Sequence, residues 1–153
     1  MDIYYKPISE SGKQMINYVC KYAPVELFKG FGQECAVLEE MPENFDKSDK
    51  IAHANLCGFG KSVIQAVLEG KVEELVLVNC CDSMRRVYDI IENTKKCKFL
   101  YMLDLPHEDN ECENIKFAQS ILRLKNAYER YSHRTFDLSL IHISEPTRLR
   151  CIS

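Results

Sequence analysis

Eight cysteines occur in this 153-residue sequence, yet no two are spaced as Cys-x-x-Cys. That absence leaves zinc ribbons and ferredoxin-type runs unsupported, so any metal site must gather its ligands from separate loops. There is no long basic run and the formal net charge is −3, which gives no footprint for nucleic acid or an anionic membrane. No apolar stretch reaches the length of a membrane span, and Met1-Asp2-Ile3-Tyr4-Tyr5-Lys6 does not read as a signal peptide. Internal repeats and low-complexity linkers are also missing. A cytoplasmic, reducing location is therefore expected, which argues against reading the cysteines as a disulfide framework.

What is present fits one globular core, with 46% hydrophobic and 28% charged residues. Residues 10–21 and the stretch "PVELFKGFG" read as two helical pieces split by Pro24, the second stopped by Gly30 and Gly32. "ECAVLE" reads as a short strand, and "IAHAN" as a short extended segment. Val63, Ile64, Val67 and Leu68 recur at helical spacing before Gly70. "ELVLVN" is the best central buried strand, followed by a helical stripe at Met84, Val87, Tyr88 and Ile91 and a strand at "KFLYMLD". Residues 109–133 form a long amphipathic helix carrying Phe117, Ile121, Leu124, Tyr128 and Tyr131. This alternation predicts an α/β domain with an open, mostly parallel sheet and flanking helices, of Rossmann or flavodoxin-like type.

The stretch "HANLCGFGKS" at residues 53–62 nearly spells a phosphate-binding loop. Gly60, Lys61 and Ser62 match its second half, but the required first glycine falls at Asn55, and "LVLVN" runs into cysteines rather than a Walker-B acid. The cysteines carry more. In open α/β sheets ligands collect beyond the carboxyl ends of strands, where helix N-termini point. Cys57 lies just before one predicted helix, and Cys81 lies between "LVLVN" and a helix that Asp82 or Ser83 would cap. A helix N-terminus favours the thiolate that binds iron, and Gly58 and Gly60 would admit a bulky group. The same placement also suits small buried hydrophobes. Cys80 is expected to point into the core, a vicinal redox pair with Cys81 being the alternative, while Cys20, Cys35, Cys97 and Cys112 read as packing or surface residues. His53 and His107 have no ligand spacing, and Arg85 and Arg86 read as a solvated helix face.

Taken together, "YVCKYAPVELFKGFG" and "NLCGFGKSVIQAVLEGKVEELVLVNCCDSMRRVYDII" resemble the 2-hydroxyacyl-CoA dehydratase family, which includes the benzoyl-CoA reductase subunits. The carrying residues are Pro24, Glu26, Leu27 and Gly30; Cys57, Phe59, Lys61 and Ser62; and Cys81, Asp82, Arg85 and Arg86. Lys61 stands where relatives often have arginine. The resemblance implies that Cys57 and Cys81 ligate a [4Fe–4S] cluster, with a third cysteine supplied by a later domain and one iron left open. It further implies one-electron reduction of an acyl-CoA substrate to a ketyl radical anion, an ATP-hydrolysing activator protein as electron donor, and a homologous second subunit or homodimer. Two alternatives stay open: a small-molecule reductase carrying a double-cubane iron–sulfur cluster, and a noncatalytic α/β partner subunit with packed cysteines.

Residues 138–153, "LSLIHISEPTRLRCIS", lack periodicity and resemble a translated sequencing adapter. The domain is accordingly expected to span residues 1–137, with a non-native tail and a native chain that continues elsewhere.

Overall fold

A computed structural model describes residues 15–39 and 41–140. Its elements, in chain order, are β1 (Ile16–Tyr18), α1 (Val25–Lys29), β2 (Cys35–Val37), α2 (Gly58–Leu68), β3 (Glu74–Asn79), α3 (Asp82–Thr94), β4 (Phe99–Asp104) and α4 (Glu111–Ser132), with 3-10 turns at Ser48–Lys50 and Leu138–Leu140. The four strands form one all-parallel sheet in the order β2-β1-β3-β4. Alternation along β3 sends Val76 to one face and Leu75 and Leu77 to the other, as a strand buried on both sides requires. Helices α1 and α4 cover the first face through Leu27, Phe28, Leu124 and Tyr128. The second face is covered by α2 and α3, through Val63, Ile64, Val67, Met84, Val87 and Ile91.

The α/β expectation holds, and two local readings do not. Within the helix expected over residues 10–21, Ile16–Tyr18 is a strand, while residues 10–14 lie outside the described residues. Ile16 is fully buried and β1 pairs on both sides, with β2 and with β3. Backbone pairing at the middle of the sheet outweighs a weak local helical pattern. Likewise, "IAHAN" is a pair of turns rather than an extended segment: His53 Nδ1 accepts from the Asn55 N–H at 3.2 Å and the His53 carbonyl from Leu56 N–H at 3.0 Å. Among the described residues no strand lies alongside to hold it extended. The reading of residues 138–153 as a tail falls mostly outside the described residues, which end in the exposed turn Leu138–Leu140.

A buried side-chain amide helps tie the loop before Cys57 to α2. Gln65 is 1% exposed; its Oε1 accepts from the Lys47 and Ser48 N–H groups at 3.1 and 2.8 Å, and its Nε2 donates to Glu69 at 2.7 Å. Gln65→Leu preserves the helix and the burial but leaves two N–H groups without an acceptor. It is expected to lower stability by about 2–4 kcal/mol in urea denaturation, at about 1–3 kcal/mol per buried orphan group partly relieved by solvent. A loss below about 0.5 kcal/mol would show that this amide is not what fastens the loop.

Glu74, at the start of β3, is 2% exposed and accepts from Tyr131 Oη at 2.9 Å and Tyr128 Oη at 3.4 Å. Burial holds its carboxyl above the ordinary value of 4.5, and the two hydroxyls pull it only part of the way back. The folded state therefore binds this proton more tightly than the unfolded chain. Stability from this group is fully present below the ordinary value and is lost as pH rises through the raised folded value. As pH rises from below the ordinary carboxylate value through the raised folded value, the parent is expected to lose stability relative to Glu74→Gln, which has no proton to give up. A stability difference that stays constant across that range would show the two states to bind the proton equally.

Candidate functional site

Because β1 has β2 on one side and β3 on the other, the chain reverses direction across the sheet between β1 and β3. Beyond the carboxyl ends of these strands lie Cys20 and the pair Cys80-Cys81, at the crevice where α/β sheets collect ligands. Helix α2 brings Cys57 to its own N-terminus and packs against α3 through a shared apolar cluster.

Cys57 is the N-cap of α2. Its backbone is extended, and its Sγ accepts from the Gly60 N–H at 3.3 Å, taking the place usually held by a serine or aspartate oxygen. Gly60 matters here for space: a Cβ on it would come within 3.0 Å of Val87 and 3.4 Å of Cys57 Sγ. Its lack of a side chain lets α2 sit close to α3 while the cap stays open. Cys81 holds the equivalent position on α3. The sequence suggested Asp82 or Ser83 as the cap, but the helix starts at Asp82 and Cys81 precedes it in extended conformation, with no side-chain capping bond. Both thiols are exposed, so neither is the packed hydrophobe of the alternative reading.

Cys80 departs from expectation. It is exposed rather than core-facing, because β3 ends at Asn79 and the in-out alternation stops there. Partial burial, then the neighbouring Cys81 and Cys20 thiols, push the Cys80 thiol up. Cys35 and Cys97 are of the other kind: burial pushes Cys35 up to about 12 and Cys97 up to about 11, leaving inert packing thiols as the sequence suggested. Cys112 is on the surface, also as suggested, and Cys151 lies outside the described residues.

The charged residues do structural work around the cap positions. Lys61 Nζ pairs with Asp49 Oδ1 at 2.8 Å and so fastens the Ser48–Lys50 turn to α2. Arg85 Nε donates to Asn79 Oδ1 at 2.6 Å, and Asn79 Nδ2 donates to Asp104 Oδ1 at 2.9 Å, a chain linking α3 to the ends of β3 and β4. That network has no motif, and its link from Asn79 to Asp104 spans 25 residues of chain, so it is not visible in the sequence. Arg86 stays solvent-facing, near Asp89 at 3.9 Å. His53 serves its own turn, and the His107 N–H donates to Glu113 at 3.3 Å.

Exposed thiols at the N-cap positions of two packed helices are the ligand type that a soft, thiolate-binding metal centre takes, and helix N-termini favour negative charge. Among the described residues no three His, Cys, Asp or Glu side chains converge as a metal site, so a centre held here draws further ligands from elsewhere. No helix among these residues is long and apolar enough to cross a membrane. No curated protein matches the chain. A protein-family profile does match, from residue 20, at the exit of β1, through both cysteine-bearing helix starts to residue 142, and on that match the chain belongs to the family described as 2-hydroxyglutaryl-CoA dehydratase, D-component.

Proposed function

We propose that this chain is the cysteine-bearing α/β part of an iron–sulfur 2-hydroxyacyl-CoA dehydratase-like enzyme, with Cys57 and Cys81 as two thiolate ligands of a [4Fe–4S] cluster. The observation that carries the reading is that these two exposed cysteines occupy the N-cap positions of neighbouring helices. When bound, the cluster supplies a low-potential electron and an open iron for the carbonyl of a CoA thioester. The chain's own contribution is to hold and shield. Cys57 and Cys81 donate the sulfurs, the Gly60 N–H stabilises charge on the first of them, and the N-terminal amides of α2 and α3 offset the cluster's negative charge. The Arg85–Asn79–Asp104 chain fixes the start of α3, and with it the direction of Cys81.

In this reading the third ligand and the substrate walls come from outside the described residues. An ATP-hydrolysing activator protein delivers the electron, and a homologous subunit or second copy completes the enzyme. A double-cubane small-molecule reductase is a second reading, favoured by one observation: Cys20 and Cys80 follow the carboxyl ends of β1 and β3, at the same end of the sheet as Cys81. Iron and acid-labile sulfide per chain, measured after anaerobic reconstitution with a small thiol to fill vacant positions, separate the possibilities. Cluster loss in Cys57→Ala and Cys81→Ala but not in Cys20→Ala or Cys80→Ala supports the single cluster. Loss in all four supports the double cubane, and no iron in the parent leaves a noncatalytic partner with free thiols.

A further inference from the structure

Helices α2 and α3 pack on each other through one apolar cluster, and each begins just after a cysteine. Gly60, in the first turn of α2, lies where the two helices approach closely. A Cβ there would meet Val87 Cγ2 of α3 at 3.0 Å, Leu56 Cγ at 3.3 Å and Cys57 Sγ at 3.4 Å. Gly58, two residues earlier in the same glycine-rich stretch, is different: a Cβ on it would meet nothing within 4 Å. Glycine weakens a helix at either position, but only Gly60 has a packing reason to lack a side chain.

Burial decides which neighbour would yield to a side chain at residue 60. Val87 is fully buried in the cluster between the helices and has no space to retreat into. Leu56 is partly buried against the same cluster. From Lys61 onward α2 is tethered on its other side, by Lys61 to Asp49 and by Gln65 to the Lys47 and Ser48 amides, so the helix does not swing away as a body. Of the three neighbours only Cys57 is exposed. Displacement therefore collects in the first turn of α2 and at its cap. We propose that Gly60 is a positioning residue for the thiol pair: by letting the first turn of α2 rest against Val87, it sets the separation and relative direction of Cys57 and Cys81. This inference rests on the reading of those cysteines as ligands of one cluster, which needs its sulfurs at a fixed spacing. Alanine at residue 60 keeps the N–H that donates to Cys57 Sγ and favours the helix, so it takes away space and little else.

The test uses the full chain without iron. Dibromobimane, a short bis-alkylating reagent, joins two thiols only when they lie close together, and mass spectrometry of the digested protein identifies the joined pair. The parent and Gly58→Ala are expected to give the Cys57–Cys81 product. Gly60→Ala is expected to give it on the order of tenfold more slowly, while its melting temperature and the labelling of exposed Cys112 stay near the parent's. Adding Val87→Ala to Gly60→Ala returns the space from the α3 side and is expected to restore bridging, which a merely structural role for Gly60 would not require. Where Gly60→Ala alone does not fold, this double variant decides, and a folded but unbridged product overturns the proposal. A parent that gives no Cys57–Cys81 product, or Gly60→Ala that bridges at the parent's rate, would overturn it as well. Iron per chain after anaerobic reconstitution tests the ligand reading separately. Bridging that depends on residue 60 in a chain that takes up no iron keeps the spacing and removes the cluster. Equal iron in the parent and Gly60→Ala, with bridging unchanged, keeps the cluster and removes the positioning role.

Discussion

Tyr128→Ala is expected to remove about 3–5 kcal/mol of stability, the range for deleting a large buried aromatic, and so a large part of what a domain of this size normally has. Tyr128 is 1% exposed and its ring meets Phe28, Phe31 and Phe99 edge-on at centroid distances of 5.2, 5.2 and 5.1 Å. It therefore joins α1, β4 and its own helix α4 on one face of the sheet, and its hydroxyl is one of the two that reach the buried Glu74 carboxylate. Alanine would open a cavity among three rings and remove one of those two donors. Tyr128→Phe separates the contributions: it keeps every ring contact and gives up a 3.4 Å hydrogen bond, for an expected loss of about 1 kcal/mol. Urea denaturation of the two variants measures both, and equal losses would mean that the hydroxyl rather than the aromatic cluster holds this face together.

The second large effect concerns iron and depends on the two roles of Cys57. Its sulfur caps α2, and in the proposed function it also ligates the cluster. Serine at this position keeps a good cap and removes the soft ligand, whereas alanine removes both. Cys57→Ser is thus expected to match or exceed the parent in thermal stability without iron, while Cys57→Ala loses about 1 kcal/mol in that state. Reconstituted under anaerobic conditions, both variants are expected to lose the visible absorption and the iron of the parent. If Cys57→Ser retained stoichiometric iron, the thiol would be a cap and nothing more.

The elements legible in the sequence are those whose periodicity is long enough to stand out from noise. β3 and β4 are continuous apolar runs of strand length, the helices from α2 to α4 each carry four or more apolar positions at helical spacing, and each is found close to its expected bounds. β1 was hidden because three residues cannot establish a period of two, and Met15 and Val19 flank them at a spacing that also suits a helix. Its identity as a strand depends on partners from the distant segments around Cys35 and Glu74. Cys80 was misplaced for a related reason, since alternation was extended one residue past the end of β3. The buried Glu74 was also missed, although two tyrosines three apart on α4 were visible and only their common target was not.

The cap positions of Cys57 and Cys81 were nearly legible, because a glycine-rich stretch and a Cys-Asp pair each precede a strong amphipathic pattern. Sequence alone does not show that the two helix starts belong to neighbouring helices. That follows from the strand order, which places α2 and α3 on the same face of the sheet.

The central claim is that Cys57 and Cys81 are the sulfurs this chain gives to a cluster, and cysteine protection tests it most directly. The chain is treated with an alkylating agent before and after anaerobic loading with iron and sulfide, and the labelling of each cysteine is followed by mass spectrometry. In the unloaded protein the exposed Cys57, Cys81 and Cys112 are expected to react ahead of the half-buried Cys35 and Cys97, whose thiols are held up by burial. Loading is expected to protect Cys57 and Cys81 while Cys112 reacts as before; undiminished labelling of Cys57 and Cys81 in iron-loaded protein would contradict the account.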